Sequence, residues 1–399
     1  MSYLKGYFER LRGGDMGVLP AVLGLIVLCA AFTLLRPVFL TPGNVANLFT
    51  QGAAVIIIAM GLVFVLLLGE IDLSAGFTSG VCAAVLAVLL THQGLPWYVG
   101  VLASLVAGAT IGLILGLLTS KVGIPSFVVT LAAFLAFQGV VLMLISGGAN
   151  ISIQDSAILA LANRNIPPYL GWTFAGLAVA GYAVVQLLQV RNRVNKGLSA
   201  PSLSLIAARV LALVVLLGGG VYVLNLERSR NVALISLQGM PIVVPVIAVL
   251  LVIGTWVLSR TAYGRYLYAV GGNVEAARRA GINVDVIRVS AFVVCSTLAA
   301  IGGIIAASRA NSVDAATGGS NVLLYAVGAA VIGGTSLFGG KGRLLDAVLG
   351  GAVVAVIDNG MGLLGYSAGV KYVITGAVLL LAAGVDALSR RRGAKAGSR

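Results

Sequence analysis

Apolar residues run through this chain in long blocks separated by short polar intervals. A run of about 20 apolar residues is long enough to cross a bilayer as a helix. On that rule twelve segments are predicted, at 17–35, 50–69, 76–91, 97–118, 126–146, 169–189, 206–225, 239–259, 289–307, 322–338, 344–362 and 371–388. The third is short and either spans or re-enters. The first is too long, and lacks the small-residue site, for a cleaved signal. The longest polar gaps, near 147–168 and 260–288, are about 20 to 30 residues, too short for a soluble domain. The pattern therefore predicts an all-α polytopic membrane protein of about twelve transmembrane helices, organised as a single transmembrane domain over 1–399.

One polar interval has structure of its own. Thr261 to Arg288 reads TAYGRYLYAVGGNVEAARRAGINVDVIR. Asn273 is placed to cap a short helix, Glu275 sits in its first turn, Arg278 and Arg279 near its end, and Gly281 can close it. Two readings follow. The interval is a handle gripped by something in the cytoplasm, or it is a basic loop that only fixes topology.

Composition agrees with the pattern. Hydrophobic residues make up 59% of the 399 and charged residues 10%, where a soluble chain carries about 25% charge. The net charge of +14 does not point to nucleic acid, because the cations are sorted by side. With the N-terminus inside, all but Arg36, Arg164, Arg228, Arg230, Arg309 and Lys371 of the 26 fall in cytoplasmic loops and tails. A miscounted span would invert that bias downstream, so both termini are expected in the cytoplasm. The tail from Arg390-Arg391-Arg392 to Arg399 serves as a topology anchor or touches anionic lipid. Cys29, Cys82 and Cys295 have no metal or disulfide spacing, and His92 is the single histidine, at a segment end. No metal site and no phosphate-loop motif is expected.

Acids inside apolar segments are costly and mark function by default. Gly69-Glu70-Ile71-Asp72-Leu73-Ser74-Ala75-Gly76 breaks a strongly apolar run. It reads as an unwound segment lining a polar path, or as a cap in which Asp72 and Ser74 start the third segment. Asp358-Asn359-Gly360 lies near the end of the eleventh segment. Gly333 to Gly342, GGTSLFGGKG, is read as a tight inside turn, since its spacing is wrong for phosphate and no strand precedes it. Gln138 stands in mid-segment, and Arg309, Asn311 and Ser312 stand where the ninth segment opens outward. Glu70, Asp72, Ser74, Gln138, Asp358 and Asn359 are thus the expected pathway residues. Gly108, Gly112 and Gly116 have the spacing of close helix packing. No nucleophile, base and orienting group come together, so transport is favoured over catalysis.

Several of these runs together resemble one family. Gly264 to Val284 is similar to the cytoplasmic coupling loop of permease subunits of bacterial monosaccharide ABC importers, the ribose, xylose and galactoside group. Glu70 to Gly76, Pro125 to Leu131, Val331 to Gly342 and Asp358 to Met361 also resemble that family's motifs, in the same order. Relative to the ribose type the chain carries an insertion, roughly 163–236, with two spans and the basic loop Arg191 to Lys196; this longer form resembles the xylose type. The resemblance implies import of D-xylose or a related monosaccharide, with no cofactor on this chain. It implies four partners: a second copy, a cytoplasmic ATPase carrying ATP-Mg, a periplasmic or extracellular sugar-binding protein, and the bilayer of the bacterial inner membrane. It assigns ATPase coupling to Gly264, Arg265, Gly271, Gly272, Asn273, Glu275, Arg278, Arg279 and Gly281, within the cytoplasmic coupling loop 261–288.

Two rivals remain at this point. In a proton-coupled secondary transporter Glu70, Asp72 and Asp358 would carry the protons. An ABC permease for nucleosides or branched-chain amino acids would share the architecture.

Overall fold

The computed structural model describes residues 19–145, 150–229 and 236–397. The cations Lys5, Arg10, Arg12, Arg230 and Arg399 lie outside them. The spans begin with α1 (Leu19–Leu35), α2 (Pro42–Leu67), α3 (Ala75–Ala87), α4 (Trp97–Leu117) and α5 (Ser126–Leu144). After the short α6 (Ser156–Asn163) come α7 (Pro168–Asn195), α8 (Leu203–Asn225) and α9 (Val243–Arg260). The polar interval holds α10 (Ala262–Gly272) and α11 (Val274–Arg279). The chain then continues through α12 (Val284–Ala310), α13 (Ser320–Gly333), α14 (Leu344–Leu363) and α15 (Ala368–Gly397).

Among the described residues nine helices are long and apolar enough to cross a membrane, and three shorter apolar helices lie at Leu19–Leu35, Asn321–Gly333 and Ala368–Leu381. Two of the ends that differ from the hydropathy pattern have a clear local reason. α2 starts at Pro42 rather than 50, because Thr41 caps it, accepting from the Asn44 amide, and Pro42 suits its first turn. α13 stops at Gly333 rather than 338, where Gly334 turns left-handed with φ 116°. The third segment is not broken. α3 continues through a π turn to His92, and its 18 residues rise about 27 Å. The break lies ahead of it, at Leu68 to Ser74.

Burial divides the spans. Of the most apolar stretch, 78% is enclosed in α2, 67% in α3, 61% in α12 and 72% in α14, against 11% in α8 and none in α7. Close approach explains the enclosed set. The stripe Gly108, Gly112, Gly116 on α4 lies directly on the α12 backbone; a Cβ on Gly108 would meet the Ser296 carbonyl at 2.7 Å. α7 and α8 pack mainly on each other, and only the outer end of α8 reaches the core, where Leu224 meets Ala46 of α2 and Met240.

Two short antiparallel ladders cover the other face. β1 (Ile151–Ser152) pairs with β4 (Ser312–Val313), and β2 (Asn165–Ile166) pairs with β3 (Met240–Pro241).

Candidate functional site

The polar interval 261–288 folds as two helices, where the sequence predicts one. Thr261 ends α9 by donating to the Val257 carbonyl at 2.6 Å and caps α10 by accepting from the Gly264 amide at 3.2 Å. α10 was hidden by its glycines. Its signal is the spacing of Gly264, Leu267 and Val270, which form its buried face. The second helix, α11, is built as the sequence indicates. Asn273 Oδ1 accepts from the Ala276 amide at 2.9 Å, and Glu275 in the first turn meets Arg278 at 2.7 Å. Arg279 closes the helix, and Gly281, with φ 80°, turns the chain toward α12. Arg265, Gly272, Glu275, Arg278 and Arg279 are exposed or half-exposed. The outward face of this module is therefore cationic.

Its inward face rests on the break. Gly271 lies against the Leu67 carbonyl, at the end of α2, with no room for a Cβ. The same carbonyl accepts from the Gly340 amide at 2.8 Å. The glycine-rich turn between α13 and α14 is thus wedged between α10 and α2. Tyr268 donates its hydroxyl to the Gly342 carbonyl at 2.7 Å. Burial, aided by the Asp346 charge, raises the Tyr268 phenol above its usual range, so it stays a donor. Arg288, in the second turn of α12, pairs with Glu70 at 3.2 Å.

Several polar groups of the unwound residues find partners, as irregular backbone at membrane depth requires, while Asp72 Oδ2 is buried without one among the described residues. The Ile71 amide donates to Ser126 Oγ at 3.3 Å, and Ile71's carbonyl accepts from Thr130 at 3.2 Å. The run Pro125 to Leu131 therefore supports the break from α5. Asp72 is completely buried. Its Oδ1 accepts both the Ser74 amide, at 2.9 Å, and the Ser74 hydroxyl, at 2.6 Å. This corrects the simpler capping reading: Ser74 occupies the N-cap position of α3, but its side chain serves Asp72 rather than the helix.

The other acids and amides gather at the opposite end of α2. Asp358 accepts from Gln51 Nε2 and from Lys371 Nζ, the latter at 3.2 Å. Asn359 donates to Gln51 Oε1 at 3.1 Å and to Asn44 Oδ1 at 3.0 Å, and accepts from Asn44 Nδ2 at 2.9 Å. Arg309 reaches Asn47 at 3.4 Å. Asn44 and Asn47 lie ahead of the second span that hydropathy starts at 50, and only with Gln51 does their spacing of three and four mark one helix face. From Gln51 to Leu67 the helix rises about 24 Å, so the expected pathway residues form two clusters, not one. Gln138 joins neither. It is exposed on α5 and hydrogen-bonded to none of them among the described residues. Asn311 acts locally. With φ 56° it ends α12, and it accepts from Asn163 at 2.8 Å.

The described residues contain no group of three or more His, Cys, Asp or Glu side chains that could hold a metal. What the arrangement offers is a two-helix module packed on a buried break, and a polar cluster far along the same helix.

Comparison with known proteins matches residues 44–158 and 139–383 to the family model described as branched-chain amino acid transport system / permease component. The chain is similar to the xylose transport system permease protein XylH of Escherichia coli, with 33% identity over 97% of this chain and 96% of that one. It is similar to the XylH protein of Haemophilus influenzae, with 31% identity over 96% of this chain and 99% of the relative. The ribose import permease protein RbsC of Escherichia coli is 29% identical over 92% of each chain. No solved structure matches.

Proposed function

The chain belongs to the family of branched-chain amino acid transport system permease components, and on that premise we propose that it admits a monosaccharide, D-xylose first. It is a multi-pass protein of the bacterial inner membrane, a permease subunit rather than an enzyme. The xylose reading is supported by the two xylose permeases, which match over nearly their whole length. ATP hydrolysis falls to a separate ATPase, and sugar capture to a binding protein outside.

The observation that carries the mechanism is the Gly271–Leu67–Gly340 contact. It joins the helix exposed to the cytoplasm to the end of the most enclosed span. An ATPase that grips α10 and α11 through Arg265, Arg278 and Arg279 pulls on that contact. Because interiors are close-packed, a shift there passes on as a rigid displacement rather than fading locally. The break carrying Glu70, Asp72 and Ser74 moves with α2, and the outer cluster of Asn44, Gln51, Asp358 and Asn359 opens or closes. Its amides and carboxylate match sugar hydroxyls, which both donate and accept. In this reading the whole chain acts as one transmembrane domain, working beside a second copy, and Gln138 serves the pathway only where α5 faces that copy.

The test is xylose uptake by proteoliposomes holding this chain, its ATPase and its binding protein. Uptake should require ATP. Uptake by this chain alone, driven by a proton gradient, would overturn the proposal. Within that assay Arg278→Glu should abolish uptake while membrane insertion stays normal. The Glu275–Arg278 pair is exposed, and such pairs contribute at most about 1 kcal/mol, so its loss cannot account for a dead transporter. Retained uptake would sink the handle role of α11.

A further inference from the structure

The inserted pair carries four cations with no acid near them in the sequence. Elsewhere on the face that carries them Lys121 is held by Asp285, Arg278 by Glu275, Arg288 by Glu70 and Arg343 by Asp346, while Arg260, Arg265 and Arg279 are exposed and in no ion pair among the described residues. From Pro168 to Asn225 the sequence contains no acid at all. Arg191, Arg193, Lys196 and Arg209 are exposed there, and no ion pair among the described residues includes them. Arg193 reaches only a backbone carbonyl, that of Ser199, at 3.5 Å.

Arg209 is the least expected of the four. It stands about 9 Å of helix rise beyond Leu203, inside an apolar span. A cation at that depth is costly unless something compensates it. Side chains on a helix lean toward its N-terminus, so Arg209 reaches back toward the ends that carry Arg191, Arg193 and Lys196.

Beside these cations the packed pair leaves an open depression. Ala183 and Leu187 of α7 and Leu203, Ala207, Val210 and Val214 of α8 line an apolar groove of about 690 Å³. Small side chains at Ala183 and Ala207 make the depression. From Leu203 to Val214 the groove follows about 16 Å of helix, roughly half of a 30 Å hydrocarbon core. The groove thus runs one leaflet deep, with positive charge at its mouth.

We propose that this groove is a binding site for one anionic phospholipid of the leaflet on the side of Arg191 to Lys196, which the cation distribution makes the cytoplasmic one. An acyl chain lies between α7 and α8. The phosphate sits among Arg191, Arg193, Lys196 and Arg209, where basic residues between helices favour anionic headgroups. The lipid supplies the negative charge that the sequence of the pair lacks, and it fills the depression between α7 and α8.

The test uses the full-length chain purified from membranes containing equal phosphatidylglycerol and phosphatidylethanolamine, with retained lipid read by native mass spectrometry. Phosphatidylglycerol should be retained over phosphatidylethanolamine by at least about tenfold. Replacing all four cations by glutamine should erase that preference. Arg209→Gln alone should weaken it, which covers the case in which the fourfold variant fails to fold. Ala207→Phe should expel the lipid with every cation in place. Arg164→Gln, at the opposite face, should change nothing. Equal retention of the two lipids by the native chain, or unchanged phosphatidylglycerol in the fourfold variant, would overturn the proposal. So would disulfide crosslinking between copies bearing Ala207→Cys, because the groove would then be covered by protein.

Discussion

At its inner end α2 is met by backbone, and at its outer end by side chains. The Leu67 carbonyl takes the Gly340 amide and lies against Gly271 with no space between them. Gln51 and Asn44 instead trade hydrogen bonds with Asp358 and Asn359 through flexible amides. Backbone contacts without free volume have nowhere to relax, so they carry displacement. Amide and carboxylate groups can exchange one partner for another at little cost, so they suit a solute whose hydroxyls replace them. In the proposed mechanism the two ends of one helix therefore serve force and recognition respectively.

The sharpest attempt to break that contrast is Gly271→Val. The new side chain must push the Leu67 carbonyl away, and uptake should fall at least 100-fold while the outer cluster, probed by sugar protection of a Gln51→Cys label, stays intact. Normal uptake would show that the contact transmits nothing. Next is Asp72→Leu, which strands the Ser74 amide and hydroxyl, a cost of about 1–3 kcal/mol each. It should cripple transport or assembly, read by uptake and by membrane yield. If both are normal, Asp72 neither holds the break nor gates a path.

Arg288→Gln removes the partner of a mostly enclosed Glu70 and should destabilise the protein by about 3 kcal/mol, seen as a lower Tm. Charge exchange, Glu70→Arg with Arg288→Glu, should restore part of it. The smallest effect is expected at the outer end. Asn359→Leu should raise the KM for sugar several-fold and leave sugar-stimulated ATP hydrolysis at saturation near normal. A variant there that uncouples hydrolysis from uptake would erase the distinction between the ends.

Much of the inner end was legible in the chain. Asn273, Glu275 and Gly281 announce α11 because caps and helix ends use few residue types and act within a turn. Glu70 and Asp72 stand out because the run 52–69 before them contains no polar side chain. The outer cluster is legible only in part: Asp358 and Asn359 stand out in the sequence, but their partners do not. Asn44 and Asn359 lie far apart in sequence and meet only after α2 and α14 pack, and Lys371 reads as a loop cation until its 3.2 Å contact with Asp358 is seen. α10 was missed because glycines make up part of its buried face, and glycine carries no hydropathy signal to count. Gln138 stands out in the sequence by its polarity in mid-span, a signal blind to which way the helix faces.

The β2–β3 ladder has a consequence for how such a chain can be edited. It sets Asn165 beside Pro241 and Ile166 beside Met240, and paired strands keep facing Cα atoms about 5 Å apart. Everything between leaves and re-enters the molecule at one point. Because the excursion crosses the bilayer an even number of times, cutting it out and sealing the gap with a tight turn preserves the sidedness of every later segment. The pair is topologically a graft, removable or transferable between permeases without reversing the orientation of its host.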